Sequence, residues 1–360
     1  MLPRPTIQSL SGTVMTINRT TALVALLFLA TPAVADDLSA PGALLAARRD
    51  ITVTRTDGSN FTATIHYPGT STAVGAPLNP AAGPYPIIAF GHGYLAPVSL
   101  YQSTGAHLAT WGFITVFPQT QGGLIMNHTA LAADLVSSLD WIAGQATVAG
   151  SPWFGGADGS RRGAMGHSMG GGSAMLAAKS DPRIRCLVPW AAAETIPSSI
   201  TAALSIECAT RLIVGSQDAI IPPSSTSAMY PNLAGSSQLI TIVGGFHCGF
   251  VDISFSICDS GSITREQQLV IVRRESTEFL LLHLKGDFSR WSECWDAPPG
   301  GAGITQSSTR TADIDGDGFV NGLDLGILLS NFGTSGAGDI DADGSVLGAD
   351  LGTLLSAWTG

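Results

Sequence analysis

The sequence predicts an α/β fold built on a mostly parallel sheet with helices on both faces. Short runs dominated by apolar residues recur at 86–90, 113–117, 184–190 and 211–215. Between them lie stretches with helical spacing, such as Leu131, Leu135, Leu139 and Ile142. Strands apolar on both faces that alternate with helices belong to a parallel sheet covered on both sides. With 45% hydrophobic and 12% charged residues, the chain can bury such a core.

The elements follow in order. Residues 51–55 and 60–67 alternate around Asp57-Gly58, the signature of an antiparallel hairpin. The run 86–90 is a buried central strand that stops at Gly91, and 113–117 is a second that stops at Pro118. Helices are expected over 101–111 and 131–146, further strands over 163–165, 184–190, 211–215 and 239–243, and a late helix over 266–284. From Asp296 to Thr309 the chain turns to Pro, Gly, Ser and Thr, which reads as a flexible linker. The expected organisation is an export signal over 1–35, a main domain over 36–296, a linker over 297–311 and a small all-α domain over 312–360.

The net charge of −10 offers no basic stripe for phosphates, which argues against a nucleic-acid partner. The acidity is local. Residues 301–360 hold eight Asp against the single Arg310, whereas 1–35 hold two Arg and no acid, leaving −5 for the region between. Near the start, Arg19 precedes the apolar run 22–30, and Ala33-Val34-Ala35 offers a small-residue cleavage site. That pattern predicts a secreted, extracellular protein. The run is too short to span a bilayer, so no transmembrane segment is expected in the mature chain. Five cysteines in an exported chain predict one or two disulfides, with at least one thiol outside any intramolecular pair. None has the CxxC spacing of a zinc or redox motif.

The run Gly166-His167-Ser168-Met169-Gly170 follows the strand over 163–165 and opens a helix behind two more glycines. A strand, a sharp turn carrying Ser between small residues and a helix together form a nucleophile elbow. The turn projects the hydroxyl above the sheet, and the helix aims its N-terminus at a developing negative charge. A serine near neutral pH needs a base oriented by an acid, in the chain order Ser, Asp or Glu, His. Only His247 and His283 follow Ser168. His283 sits at helical spacing among Phe279, Leu280 and Leu284, which suits packing, whereas His247 lies in the loop after strand 239–243. His247 is therefore the expected base. Asp218, just after strand 211–215, is the expected acid; Asp252 and Asp259 come after the base, and Glu194 and Glu207 lie off that loop. The oxyanion hole needs two backbone N–H donors. Met169 supplies one, and Tyr94, with Gly93 as the alternative, supplies the other.

These residues resemble the bacterial cutinases and poly(ethylene terephthalate) hydrolases, members of the α/β-hydrolase fold. The elbow Gly166 to Gly172, the oxyanion loop Gly93-Tyr94, the passage His107 to Ile114, the acid loop Asp218 to Pro222 and the base loop Gly244 to His247 are each similar. Segments such as Phe113 to Gln119 are also similar to chlorophyllases and dienelactone-hydrolase relatives. The resemblance spans about residues 50–290 and implies a serine carboxylic-ester hydrolase that forms an acyl-enzyme without a cofactor, acting on an ester substrate that is polymeric in some of those enzymes. The tryptophan those polyesterases carry after the strand at 184–190 falls near Ala193 here. They can also join the acid and base loops with a disulfide, and here 215–218 holds no cysteine. A lipase or a peptidase of the same fold, or a catalytically silent binding module, are the competing readings.

In the tail, Asp313, Asp315, Asp317, Asn321 and Asp324 place oxygens at positions 1, 3, 5, 9 and 12 of a loop with Gly318 at position 6. That is the spacing of a calcium loop. It recurs 26 residues later as Asp339, Asp341, Asp343, Gly344 and Asp350. Each loop precedes the same apolar pattern, Leu325, Leu328, Leu329 and Phe332, then Leu351, Leu354, Leu355 and Trp358. Calcium would cancel carboxylate repulsion while the two helices bury those faces together. Paired half-loops of this kind resemble a type I dockerin, which implies a cohesin-like or cell-surface partner.

Overall fold

The computed structural model describes residues 37–296 and 303–360. The expected export signal and residues 297–302 of the expected linker lie outside the described residues. The hairpin forms as β1 (Leu45–Thr54) and β2 (Asn60–Gly69). It is followed by β3 (Tyr85–Gly91), α1 (Gln102–Thr110), β4 (Ile114–Pro118), α2 (His128–Gln145), β5 (Ala157–His167), α3 (Met169–Ser180) and β6 (Ile184–Trp190). Then come the short helix α4 (Ser199–Ala203), β7 (Ala209–Gly215), the short helix α5 (Pro223–Ser227), β8 (Ser237–Ile242) and the long helix α6 (Arg265–Lys285).

Among the described residues nine strands, the last being β9 (Ile304–Thr309), form one sheet in the order β1-β2-β4-β3-β5-β6-β7-β8-β9. The six from β4 to β8 are mutually parallel, so their carboxyl ends share one edge. The period of two divides their side chains between two cores. Ile88, Phe90, Met165, Val188 and Ile213 pack with Phe279 and Leu280 of α6. Ile87, Ala89, Ala164, Leu187 and Leu212 pack with Leu135 and Leu139 of α2. Such a strand has no polar face, which is why β3 and β4 are buried throughout and largely apolar, Thr115 being the exception. Truncating one of these large side chains, such as Phe90, to Ala would cost about 3–5 kcal/mol. The boundaries of α6 are set locally. Thr264 and Gln267 form a capping box, and Gly286 closes the helix at φ 67°.

The linker expectation is corrected. Ile304–Thr309 is the ninth strand, β9, paired antiparallel with β8 from Ser237↔Thr309 to Ile242↔Ile304. Its Ser and Thr side chains are exposed at a sheet edge, so its composition mimics a linker while its backbone pairs with β8 along its whole length.

The tail carries two short helices, each preceded by one of the acidic loops, α7 (Gly322–Ser330) and α8 (Gly348–Ser356). It is not tethered apart from the main domain. Ala312, Ile314, Leu328, Val346 and Leu354 are buried in the same apolar cluster as α6. Arg185 on β6 lies 3.4 Å from the carboxylates of both Asp315 and Asp317. Arg310 pairs with Asp339 at 2.9 Å and Asp296 at 2.5 Å. The leucine repeat is only partly used for packing. Leu328 and Leu354 are fully buried, whereas Leu329, Phe332, Leu355 and Trp358 stay 42–53% exposed. Among the described residues, no helix is long and apolar enough to cross a membrane.

Candidate active site

Ser168 stands between the last residue of β5 and the first of α3, with φ 58° and ψ −121°. A positive φ at a non-glycine residue is strained and persists only where the surroundings enforce it. Here its N–H donates to Trp190 O at 2.9 Å, and its carbonyl accepts from Gly172 N at 3.1 Å and Ala193 N at 3.0 Å. The elbow also presses against β3. A Cβ added to Gly91 would lie 2.8 Å from Gly170 Cα, so only glycine fits that approach. Met169 opens α3, and its N–H therefore has no acceptor within the helix.

The loops after β7 and β8 lie side by side. Gln217 N donates to Gly245 O at 2.8 Å, and Gly244 N donates to Ser216 Oγ at 2.8 Å. Asp218 Oδ1 accepts the N–H groups of Ile220 at 3.0 Å and Ile221 at 2.7 Å. That fixes the carboxylate and leaves Oδ2 facing His247 Nδ1, 2.7 Å away. Both side chains are buried. The His247 ring lies 4.4 Å from the ring of His167, the neighbour of Ser168 in the chain. The competing carboxylates are engaged elsewhere: Glu194 accepts from Ser199 Oγ and Ile200 N, and Asp252 holds Ser103. His283 packs against Phe279 at 4.5 Å, and burial drives its pKa down to about 3.

On the other side of the elbow, the Gly93 N–H donates to the Tyr101 hydroxyl at 3.0 Å. The Gly93 N–H is thereby taken up within the protein. Tyr94 is half-buried, with its hydroxyl donating to Leu124 O at 3.1 Å. Tyr101 also meets His167 Nδ1 at 2.9 Å.

Two residues near the pair escape the motif reading. Gln268 both donates to Phe246 O and accepts from Phe246 N, each at 2.9 Å. Asp259 accepts from Ala219 N at 3.0 Å, His247 N at 2.9 Å and Cys248 N at 2.9 Å. Chain order set Asp259 aside as an acid. The available signal was its neighbour Cys258, which forms a disulfide with Cys248, the residue after His247. Cys186, Cys208 and Cys294 are free and buried.

In the tail, carboxylate oxygens of Asp313, Asp315 and Asp317 converge within 4.8 Å of one another, as do those of Asp339, Asp341 and Asp343. Burial, with Asp324, Asp315 and Asp317 nearby, pushes Asp313 up to about 7. An all-oxygen donor set that repels itself in this way suits a hard divalent cation. Gly318 and Gly344 make the sharp turn at φ 88° and 94°. The remaining expected ligands bond backbone N–H groups, as Asp313 also does with Gly316, Asp317 and Gly318. Asn321 caps α7 through Leu323 N. Asp324 accepts from Ile314, Asp315 and Asn321 N, and Asp350 from Ile340, Asp341 and Leu347 N. Asn321 and Asp324 thus cap the start of α7, while Asp324 and Asp350 also tie the opening of each loop to the helix that follows it.

A largely parallel sheet, with a strained serine at a strand-to-helix elbow and an Asp–His pair on the following loops, is the arrangement of an α/β-hydrolase. The chain belongs to the PET hydrolase-like family, whose profile matches residues 33–254. It is 31% identical over 185 residues to a bis(hydroxyethyl) terephthalate hydrolase of Streptomyces coelicolor, covering 49% of this chain and 51% of that protein. It is 28% identical over 185 residues to Lipase 1 of a Moraxella species, covering 51% of this chain and 52% of that protein. The chain thus spans about half the length of these curated relatives.

Proposed function

We propose that this protein is a secreted serine carboxylic-ester hydrolase working through Ser168, His247 and Asp218. The observation that carries the reading is the 2.7 Å contact between Asp218 and His247, with the His247 ring against the residue preceding the strained serine. Asp218 keeps the proton on His247 Nδ1, so Nε2 is free to take the proton of Ser168 as its oxygen attacks the ester carbonyl. The Tyr94 and Met169 amides hold the oxyanion. Collapse expels the alcohol, protonated by His247, and leaves an acyl-enzyme. Water deprotonated by His247 then releases the acid and restores the serine.

The rim of the site favours an apolar ester. Leu124, Ile125 and Ile196, on loops after β4 and β6, are 79%, 94% and 84% exposed at the edge that carries Ser168. Trp190 is no platform for an aromatic substrate, because it is buried against Phe90 with its indole N–H on Ser276 Oγ. The names of the two relatives fit an ester-cleaving reading, and polymeric esters belong in the substrate panel.

A fluorophosphonate probe tests the mechanism: it should label the wild type at Ser168 and leave Ser168→Ala unlabelled. Unlabelled, well-folded wild type would favour a silent binding module. Turnover of a peptide amide above that of esters would favour the peptidase reading, and preference for long acyl chains the lipase reading. In the tail, Asp313, Asp315, Asp317 and Asp339, Asp341, Asp343 would hold structural calcium, whose charge would relieve their mutual repulsion. The exposed apolar residues of α7 and α8 suit a cohesin-like or cell-surface partner, which pull-down with purified cohesin modules would test.

A further inference from the structure

The Asp218–His247 pair depends on two separate loops keeping one geometry, and a single side chain grips both. Asp259 Oδ2 accepts the N–H of Ala219, the residue after Asp218, at 3.0 Å, and the N–H of His247 at 2.9 Å. Its Oδ1 accepts the N–H of Cys248, the residue after His247, at 2.9 Å. A carboxylate bonded to three amides is strongly held, because charge-assisted hydrogen bonds are about twice as strong as neutral ones. Asp259 itself belongs to no helix or strand, so something must hold it. The Cys248–Cys258 disulfide fixes the residue before it. On the other side, Ser262 N donates to Gly244 O at 3.1 Å, returning the segment to the base loop.

We propose that Asp259 is a positioning residue that sets the distance between Asp218 and His247, and that the Cys248–Cys258 disulfide holds its carboxylate in place. The inference rests on the hydrolase reading given above. Asp259 touches only backbone and takes no proton in the reaction. Without it, the acid and base loops keep their other bonds but lose the tie nearest the pair. The Nδ1–Oδ2 contact then lengthens, and His247 spends less time aimed at Ser168.

The test uses the full chain and two independent readouts. The first is the low-field proton resonance of the His247 Nδ1–H, assigned by its disappearance in His247→Gln. The second is ester turnover across pH. Asp259→Ala should broaden or shift the resonance and move the apparent pKa of kcat/KM. It should lower kcat about 10- to 100-fold while KM stays within about twofold. Asp259→Asn, which keeps one acceptor oxygen, and Cys258→Ser should change both readouts in the same direction by less. If Asp259→Ala does not fold, those two variants decide. A variant with a lowered Tm but an unchanged resonance and pH profile would overturn the positioning role and leave only a structural one. Should the wild type turn over no ester, the hydrolase reading fails, and the resonance still decides whether Asp259 holds the pair.

Discussion

The imidazole rings of His167 and His247 lie 4.4 Å apart, centroid to centroid, with their planes tilted by 41°. Through this contact the elbow and the base are packed as one piece. Burial, with His247 beside it, holds His167 well below the ordinary histidine pKa, so it stays neutral near neutral pH. Its Nδ1 meets the Tyr101 hydroxyl, which also receives the Gly93 N–H. One phenol thus links the loop after β3 to the residue before Ser168.

Tyr101→Phe should therefore cost both stability and rate. It leaves the Gly93 N–H and His167 Nδ1 buried without a partner, at about 1–3 kcal/mol for each unsatisfied group. Urea unfolding should show a lower midpoint and ester assays a lower kcat. A variant that matches the wild type in both would remove Tyr101 from this role.

Asp218→Asn should lower kcat by about 10⁴-fold with little change in melting. The Asn oxygen can still accept from Ile220 and Ile221 N, which turns its NH₂ group toward His247 Nδ1. That favours the tautomer protonated on Nε2, which cannot accept the serine proton. A loss of less than tenfold in steady-state assays would point to another acid.

Stability should fall as pH drops below neutrality. Burial, with Arg48 near His66 and Arg273 near His107, lowers both histidines to about 4. Unfolded histidines titrate near 6.5, so below that pH the unfolded chain binds more protons than the folded one. Each group then removes about 1.4 kcal/mol per pH unit until the loss levels off near pH 4. Denaturant titrations at pH 7.5, 6 and 5 measure the slope, and His107→Gln should flatten it.

Calcium should raise the melting temperature of the whole chain in one transition, because the tail shares the core of α6. At 100 times the dissociation constant, the gain at a single site is about 2.7 kcal/mol. Calorimetry with calcium and with EDTA checks this. Identical melting in the two buffers would sink the calcium assignment, and two separate transitions would contradict the shared core.

Replacing Leu124 and Ile125 with Ser should weaken hydrolysis of long-chain or insoluble esters while sparing short soluble ones. Both side chains are exposed at the rim, so the fold loses little. Equal loss on both substrate types would mean that the rim does not select for apolar esters.

Much of this was legible locally. The five-residue apolar run at 86–90, ended by Gly91, has the length of a strand covered on both faces, and the glycines around Ser168 predict an elbow. Chain order then selects Asp218 and His247. Each of these rests on periodicity or turn chemistry, which neighbouring residues carry among themselves.

What only the tertiary structure decided involves partners far apart in the chain. Residues 304–309 have the composition of a linker and become a strand because β8 offers a free edge. Leu329 and Leu355 have the spacing of a buried face and stay exposed, because the tail joins the main core through other side chains. Asp259 reads as a loop charge, and folding places it against three amides beside the acid and the base. A free edge, a docking face and a converging set of N–H groups are properties of assembled backbone, and no local pattern of side chains encodes them.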